Sequence, residues 1–396
     1  MTNKSIFLIP STYGLIGWVI AALFVVVDPV GMTPLSLNGY FIIFYTLLVY
    51  SFMTFLFNRS FSQSMYSDDI PIGKIDLNIF FLTSFIGIAG LYIYLGDIIF
   101  FYGGFRNVLY IISDDALKIR SNAEEFSSFS FQLSYFSWIS VFIGTLIVKY
   151  RQHRRIVLFI VFSIILLELF LNLFFIDRTR PVWIIFTSVL GIMFSGDLIR
   201  KKIFRWVGYA TAVPAAIFIL FSYLVSKFNE DFGIFGTMSA YIVSGIGYID
   251  DLSHDITLSP SYFPVRTFLP LSKIMESIGL ISDVPNNVLA NRYIPFATNV
   301  GTLHEPYMSD GGMIYLIILF PIVALFINYL AYIGYRSRQS VGLFLWANCI
   351  FSSMISFFVP KFNSVPFYIF VMTFVLCGLL YRKQRYRDTA LRLGYR

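Results

Sequence analysis

Apolar runs of about 17–25 residues, the length that crosses a bilayer core, recur along almost the whole chain. One long polar stretch interrupts them. The pattern predicts ten spans, near 6–27, 35–57, 78–102, 131–149, 156–176, 181–198, 203–225, 311–333, 341–359 and 365–381. The expected fold is therefore all-α, a polytopic transmembrane helical bundle forming a single integral membrane domain over 1–396. Its connections are short except for residues 226–310, Ser226 to Asp310. Within that loop, Phe232–Tyr248 is apolar, glycine-rich and aromatic but too short to cross comfortably, which predicts an interfacial or re-entrant segment. Pro270–Gly279 reads as a short amphipathic helix, with Leu271, Ile274, Met275 and Ile278 at helical spacing opposite Lys273 and Glu276. Such a helix lies on the outer leaflet or on the top of the bundle.

Composition supports the membrane reading. Charged residues make up only 13% of the chain against 57% hydrophobic, where a soluble domain carries about a quarter charged. The formal charge of +7 is not a nucleic-acid footprint, because the basic residues cluster in short loops and at the C-terminus. With the N-terminus inside, inner segments hold 19 of the 29 Lys and Arg, with Lys149–Arg155 and Arg200–Arg205 the densest. The positive-inside rule then puts both termini in the cytoplasm and the large loop outside. The mixed-charge loop Gly103–Ser130 is external on the same reading, and the basic tail Arg382–Arg396 lies on anionic inner-leaflet lipid. Cys349 and Cys377 fall inside apolar spans and read as small buried hydrophobes, with no disulfide or metal site implied. The first apolar run, Ile6–Val27, spans without a small-residue cleavage site after it, so no cleavable signal peptide is expected.

Candidate chemistry sits at the outer side. Asp177–Arg178–Thr179–Arg180 forms a tight external turn, where the positive-inside rule disfavours arginine; Pro181 then suits the first turn of the next helix. Arg178 and Arg180 are either snorkelling residues paired with Asp177 or a guanidinium pair for a diphosphate at the outer interface. Glu168 lies deep in span five and reads as a structural pairing site or a functional carboxylate, the structural role being the commoner for a buried carboxyl. The run Asp250–Asp255, with His254 inside it, is a solvated acidic turn or a cation-binding cluster without established ligand spacing. Arg266 and Arg292 are candidates for phosphate or sugar contacts. The loop ends in Asn299-Val300-Gly301-Thr302-Leu303-His304-Glu305-Pro306-Tyr307-Met308-Ser309-Asp310-Gly311-Gly312. Asp310 is placed to cap a helix, or, with His304, Glu305 and Tyr307, to line a polar, aromatic wall offering a general base to a sugar hydroxyl.

At these residues the chain resembles the bacterial oligosaccharide repeat-unit polymerases, the O-antigen polymerase family of the lipid-carrier pathway. The family pattern near the end of the large outer loop runs Asn-Val-x-Thr, a short aromatic stretch, then Asp-Phe-Gly before a span. Here it reads Asn299-Val300-Gly301-Thr302 and Asp310-Gly311-Gly312, with Gly311 standing where Phe is usual. The spacing from Arg180 to Gly191 also resembles one found in such polymerases; from Arg292 to Gly301 it is too short for a second copy. The resemblance implies a multi-pass glycosyltransferase of the bacterial cytoplasmic membrane. Polyprenyl-diphosphate-linked oligosaccharide would be both donor and acceptor, and a chain-length regulator protein a further partner. The reaction it implies needs cations on the leaving diphosphate, which Arg178 and Arg180 suit, and a base, for which His304, Glu305, Asp310 or His254 could serve; Arg266, Arg292, Asn299, Thr302 and Tyr307 complete the candidate substrate-binding set. Direct displacement at the anomeric carbon would invert its configuration, and no Asp-x-Asp stands in the first outer loop, only Asp28 before Pro29, so an inverting, metal-independent enzyme without a cofactor is expected. The alternatives are an O-antigen ligase-like transferase and, from another class, a lipid-linked sugar flippase or transporter. Transporters place charged sites near the bilayer midplane, where this sequence offers only Glu168.

Overall fold

The computed structural model describes residues 5–28, 30–32, 34–64, 72–111, 128–150, 153–173, 179–195, 233–255, 263–285, 289–290, 292–294 and 297–392. Their helices are α1 (Pro10–Val27), α2 (Leu37–Ser64), α3 (Lys74–Phe101), α4 (Ser128–Leu133), α5 (Phe136–Tyr150), α6 (Arg155–Leu173), α7 (Thr179–Phe194), α8 (Gly233–Leu252), α9 (Leu269–Ser277), α10 (Glu305–Arg336), α11 (Ser340–Met354) and α12 (Val365–Arg392). The described strands are a two-residue antiparallel pair, β1 (Arg292–Tyr293) and β2 (Ala297–Thr298), with Arg292 opposite Thr298. The fold is all-α, as expected. Seven helical stretches are long and apolar enough to cross a membrane: α1, α2, α3, Phe129–Tyr150, Arg155–Asn172, α10 and Val365–Arg382. Arg180–Phe194 and Ser340–Met354 are apolar but shorter. These nine stretches fall on nine of the ten predicted spans. The other predicted span, 203–225, lies outside the described residues, as do Arg178, Asp177, the Arg200–Arg205 turn and residues 112–127 of the Gly103–Ser130 loop.

The chain divides into two compact units. The first comprises Met1–Met65, Phe228–Ile333 and Asn348–Tyr368. In it the indole of Trp18 and the hydroxyl of Tyr50 both donate to Ser356 Oγ, at 2.9 and 3.0 Å. Asn328 Nδ2 donates to Ser11 Oγ at 2.6 Å. Such pairings offset the cost of burying a polar group in apolar surroundings. The same demand explains Tyr45. Pro321 lies inside α10 and lacks the N–H that would bond the carbonyl four residues earlier. That carbonyl, of Ile317, accepts instead from the Tyr45 hydroxyl at 2.7 Å. Ser5 Oγ donates to Asn58 Oδ1, so the start of α1 and the end of α2 share one end of this unit. At the other end of those two helices, Ser36 donates through N and Oγ to Asp250.

Three features of this unit differ from the sequence expectation. Residues 233–248 of the segment read as interfacial or re-entrant belong to a 20-residue helix, α8, which takes Asp250 and Asp251 into its last turn. In α9 the buried side is Leu269, Pro270 and Ser272, while Leu271 and Ile274, with Ile278 just beyond the helix, stay exposed. Among the described residues, the side read as apolar is thus the exposed one, which fits the outer-leaflet alternative rather than the top of the bundle. Finally, α10 begins at Glu305 rather than near 311, and its helical geometry breaks at Gly311 and Gly312. Gly312 has φ +66 and ψ −154, a region essentially closed to other residues.

The second unit comprises Tyr66–Lys227, Gly334–Ala347 and Ile369–Arg396. Glu168 is fully buried and accepts from Ser140 Oγ at 2.6 Å, while Asn172 Nδ2 donates to Ser137 Oγ at 3.0 Å. The deep carboxylate has the structural pairing expected of it. Asp76 collects the Gly73 N–H at 2.8 Å, the Ser340 hydroxyl at 2.6 Å and the Tyr381 hydroxyl. The starts of α3 and α11 and the far part of α12 therefore share one end. Lys149 Nζ donates to the Ile192 carbonyl at 2.9 Å and to Ser195 Oγ at 2.7 Å, placing a cation at the negative C-terminal end of α7.

Candidate functional site

The site in the first unit grows from one helix start. Thr302-Leu303-His304-Glu305 has the capping spacing in which a threonine hydroxyl takes an orphan N–H of the first turn. Thr302 Oγ1 accepts from the His304 N–H at 3.1 Å, and Glu305 N–H donates to the Thr302 carbonyl at 3.1 Å. The turn that follows ends at Asp310, where the glycine break releases the rest of α10 to its own direction. Ser309 lies four residues after Glu305, on the same face, and its hydroxyl donates to Glu305 Oε1 at 2.8 Å.

The segment before α9 docks on this turn. Asp310 accepts from Arg266 N–H on Oδ1 at 2.9 Å, and from the Thr267 N–H and hydroxyl on Oδ2, each at 2.7 Å. It therefore clamps a neighbouring loop rather than capping the span it precedes. Asn363 Nδ2 donates to the Arg266 carbonyl at 3.1 Å, so the Arg266 backbone is held on both sides. From that fixed point Arg266 Nη1 reaches Glu305 Oε1 at 2.9 Å, with side-chain exposures of 23% and 4%. Three side-chain atoms of the pair stay open among the described residues. Glu305 Oε2 accepts no hydrogen bond, and Arg266 Nε and Nη2 donate none.

A second cluster stands close by. Arg292 on β1 donates from Nη1 to Asp251 at 2.5 Å and from Nη2 to Asp255 at 3.1 Å, with its guanidinium 5.4 Å from the Tyr248 ring centre. Burial pushes the Tyr248 phenol above its ordinary value, and Arg292, Glu305 and Arg266 all act on it electrostatically. Tyr248 thus joins the two arginines and the carboxylate in one charged neighbourhood. The acidic run is spent on pairing: Asp250 on Ser36, Asp251 and Asp255 on Arg292. No group of three or more His, Cys, Asp or Glu that could hold a metal occurs among the described residues.

The other sequence candidates scatter. His304 is fully buried, its ring 4.7 Å from Phe320 and 5.2 Å from Trp18. Its Nε2 lies 2.6 Å from Thr46 Oγ1, and Thr46 itself donates to the Ile42 carbonyl. With the hydroxyl proton used there, Nε2 is assigned the ring proton and Nδ1 is left bare, buried and unpartnered. Burial pushes this imidazole down to about 3, so it is neutral. Tyr307 is buried 6.3 Å from it, centre to centre. Thr302 is consumed by capping, while Asn299 and His254 are exposed. Arg180 belongs to the second unit. It is 1% exposed, donates from Nη1 to Ser134 Oγ at 2.9 Å, and stacks on Phe131, Tyr135 and Trp138 at 4.4, 4.6 and 5.6 Å. Gly191, eleven residues on, lies against Phe142, where a Cβ would come within 2.5 Å of the ring. Packing accounts for that spacing.

Sequence reasoning passed over Tyr248, Thr267, Ser309 and Asn363. Ser309 was legible from its separation from Glu305 once the helix is started at Thr302. Thr267 and Asn363 reach the site only through tertiary folding, and no local signal marks them. The chain matches no protein-family model, no curated protein and no solved structure.

Proposed function

We propose that this chain is a membrane glycosyltransferase that polymerises polyprenyl-diphosphate-linked oligosaccharide units into a surface polysaccharide. The observation that carries the reading is the Arg266–Glu305 pair: a half-used guanidinium beside a nearly buried carboxylate with one open oxygen. Arg266 offers its Nε and Nη2 donors to the leaving diphosphate, a planar fork that matches phosphate oxygens. Glu305 Oε2 takes the proton of the attacking sugar hydroxyl. Displacement at the anomeric carbon then inverts its configuration. Among the four candidate bases, geometry favours Glu305, since Asp310 is engaged on both oxygens by the Arg266–Thr267 loop, His304 is sealed, and His254 is exposed with no side-chain partner among the described residues. Arg292 and Tyr248 form the adjoining wall, suited to sugar hydroxyls.

The proposed topology has ten spans, both termini in the cytoplasm and the 226–310 loop outside, in a bacterial inner membrane. Contacts within each unit support the alternation: segments assigned inside (Ser5 with Asn58; Asp76 with Ser340 and Tyr381) share ends. So do segments assigned outside (Ser36 with Asp250; Arg266 with Asn363). The test is the surface polysaccharide of a strain lacking the gene, complemented with wild type, Glu305→Gln or Arg266→Lys. Polymerase loss leaves single repeat units on the surface. Flippase loss leaves none, and ligase loss leaves polymer stranded on its lipid carrier. Either of the last two phenotypes would overturn the reading.

A further inference from the structure

Arg266 and Arg292 meet their carboxylates in different ways. Arg292 spends both terminal nitrogens, one on Asp251 and one on Asp255, and its Nε is buried. Arg266 spends only Nη1, and the two donors that form the side-on fork of a guanidinium remain open among the described residues. Its N–H and carbonyl are fixed by Asp310 and Asn363, at 2.9 and 3.1 Å. It can therefore receive a second anion without first releasing Glu305 or moving its backbone.

Resting on the transferase reading above, we propose that Arg266 is a bridge, holding Glu305 with Nη1 and the leaving diphosphate with Nε and Nη2. The bridge couples the two halves of the reaction. The acceptor O–H bond breaks and its proton passes to Glu305 Oε2. The oxygen's electron pair forms the bond to the anomeric carbon. The bond from that carbon to the diphosphate oxygen breaks, and its electrons leave with the diphosphate. As the proton arrives, Glu305 loses the charge that had shared the guanidinium. The full cationic field of Arg266 then falls on the diphosphate oxygens as negative charge grows there. Poor solvent access strengthens the effect, since Coulombic terms grow as the effective dielectric falls.

The bridge makes an unusual prediction: a substitution that abolishes turnover should tighten product binding. Glu305→Gln is isosteric and permanently neutral, so it mimics the protonated carboxyl. The experiment uses purified full-length protein in lipid nanodiscs and titrates inorganic diphosphate calorimetrically. Wild type should bind it, and Arg266→Gln should weaken binding on the order of tenfold or more, as expected for loss of charge-assisted hydrogen bonds. Glu305→Gln should tighten it on the order of tenfold in the Arg266 background and leave it unchanged in the Arg266→Gln background. Tightening in both backgrounds would show simple through-space repulsion, and unchanged affinity in Glu305→Gln would show independent groups. Either result overturns the bridge while leaving the transferase reading standing. That reading fails instead if folded wild type neither binds diphosphate nor consumes the lipid-linked oligosaccharide fraction that accumulates in the deletion strain. Should Glu305→Gln not fold, Glu305→Ala carries the same expectation of sign.

Discussion

Replacing Asp310 with Asn should loosen the loop that carries Arg266. Asp310 accepts three hydrogen bonds, at 2.9, 2.7 and 2.7 Å, two from backbone N–H groups and one from the Thr267 hydroxyl. Hydrogen bonds to an ionised acceptor contribute roughly 1.5–3 kcal/mol each. Asn keeps one acceptor oxygen and turns an NH2 toward the remaining donors, so one oxygen's share is lost and an N–H is stranded. Bonds within one cluster do not add, and a net cost of about 3 kcal/mol follows for opening this segment. At 1.4 kcal/mol per factor of ten, the Arg266 and Thr267 amides should exchange with deuterium on the order of 100-fold faster. Mass-spectrometric hydrogen exchange of the reconstituted protein reads this on a peptide covering 264–268. The Ser272 amide, which donates to the carbonyl of Phe268 just before α9, serves as the internal control. Unchanged protection of Arg266 and Thr267 would refute the clamp and leave Asp310 free for another role.

Tyr45→Phe should cost about 1 kcal/mol of stability by orphaning the Ile317 carbonyl. The loss should vanish when Pro321→Ala restores the missing N–H, and a double-mutant cycle on thermal unfolding measures it. Gly312→Ala should destabilise by roughly 1–3 kcal/mol because its backbone sits where a Cβ is strained, seen as a lowered melting temperature; an unchanged one would contradict the break. His304 gives a pH signature. Its folded value, pushed down to about 3 by burial, lies below the ordinary ~6.5 of an unfolded imidazole. Below about 6.5 the unfolded chain takes up a proton that the folded one refuses. The stability from this residue is complete above that pH and lost as pH falls toward about 3, at up to ~1.4 kcal/mol per pH unit. Wild type should therefore lose melting temperature faster than His304→Gln between about pH 7 and about pH 5; equal slopes would contradict the burial account.

Much of the helical pattern is legible in the sequence because apolar length follows a one-dimensional rule. Apolar length is a local property, and nine predicted spans fall on described apolar helices, seven of them long enough to cross a membrane. The start of α10 was misplaced because apolarity begins at Met313, while the helix begins with the capping spacing at Thr302 and is interrupted at Gly312. Burial at the site follows from folding, not from the sequence pattern. His304 and Glu305 are adjacent, yet one is sealed between Trp18 and Phe320 while the other turns to Arg266. Helical geometry sends neighbours about 100° apart, so adjacency favours two fates over one shared role. Arg180 misled in a related way. Its position at an external turn suggests an open cation, whereas three aromatic rings from α4, α5 and the residues between them enclose it.

The central claim is that the Arg266–Glu305 pair transfers glycan from a lipid diphosphate. The most direct measurement reconstitutes the purified chain in vesicles with the lipid-linked oligosaccharide fraction from the deletion strain. Products are then resolved by size, and free lipid diphosphate is assayed alongside. The account predicts a stepped ladder of longer glycans from wild type, with one lipid diphosphate released per linkage formed. Glu305→Gln protein of equal fold should give neither. A folded wild-type protein that makes no ladder and releases no diphosphate, or a Glu305→Gln protein that makes both at the wild-type rate, would contradict it.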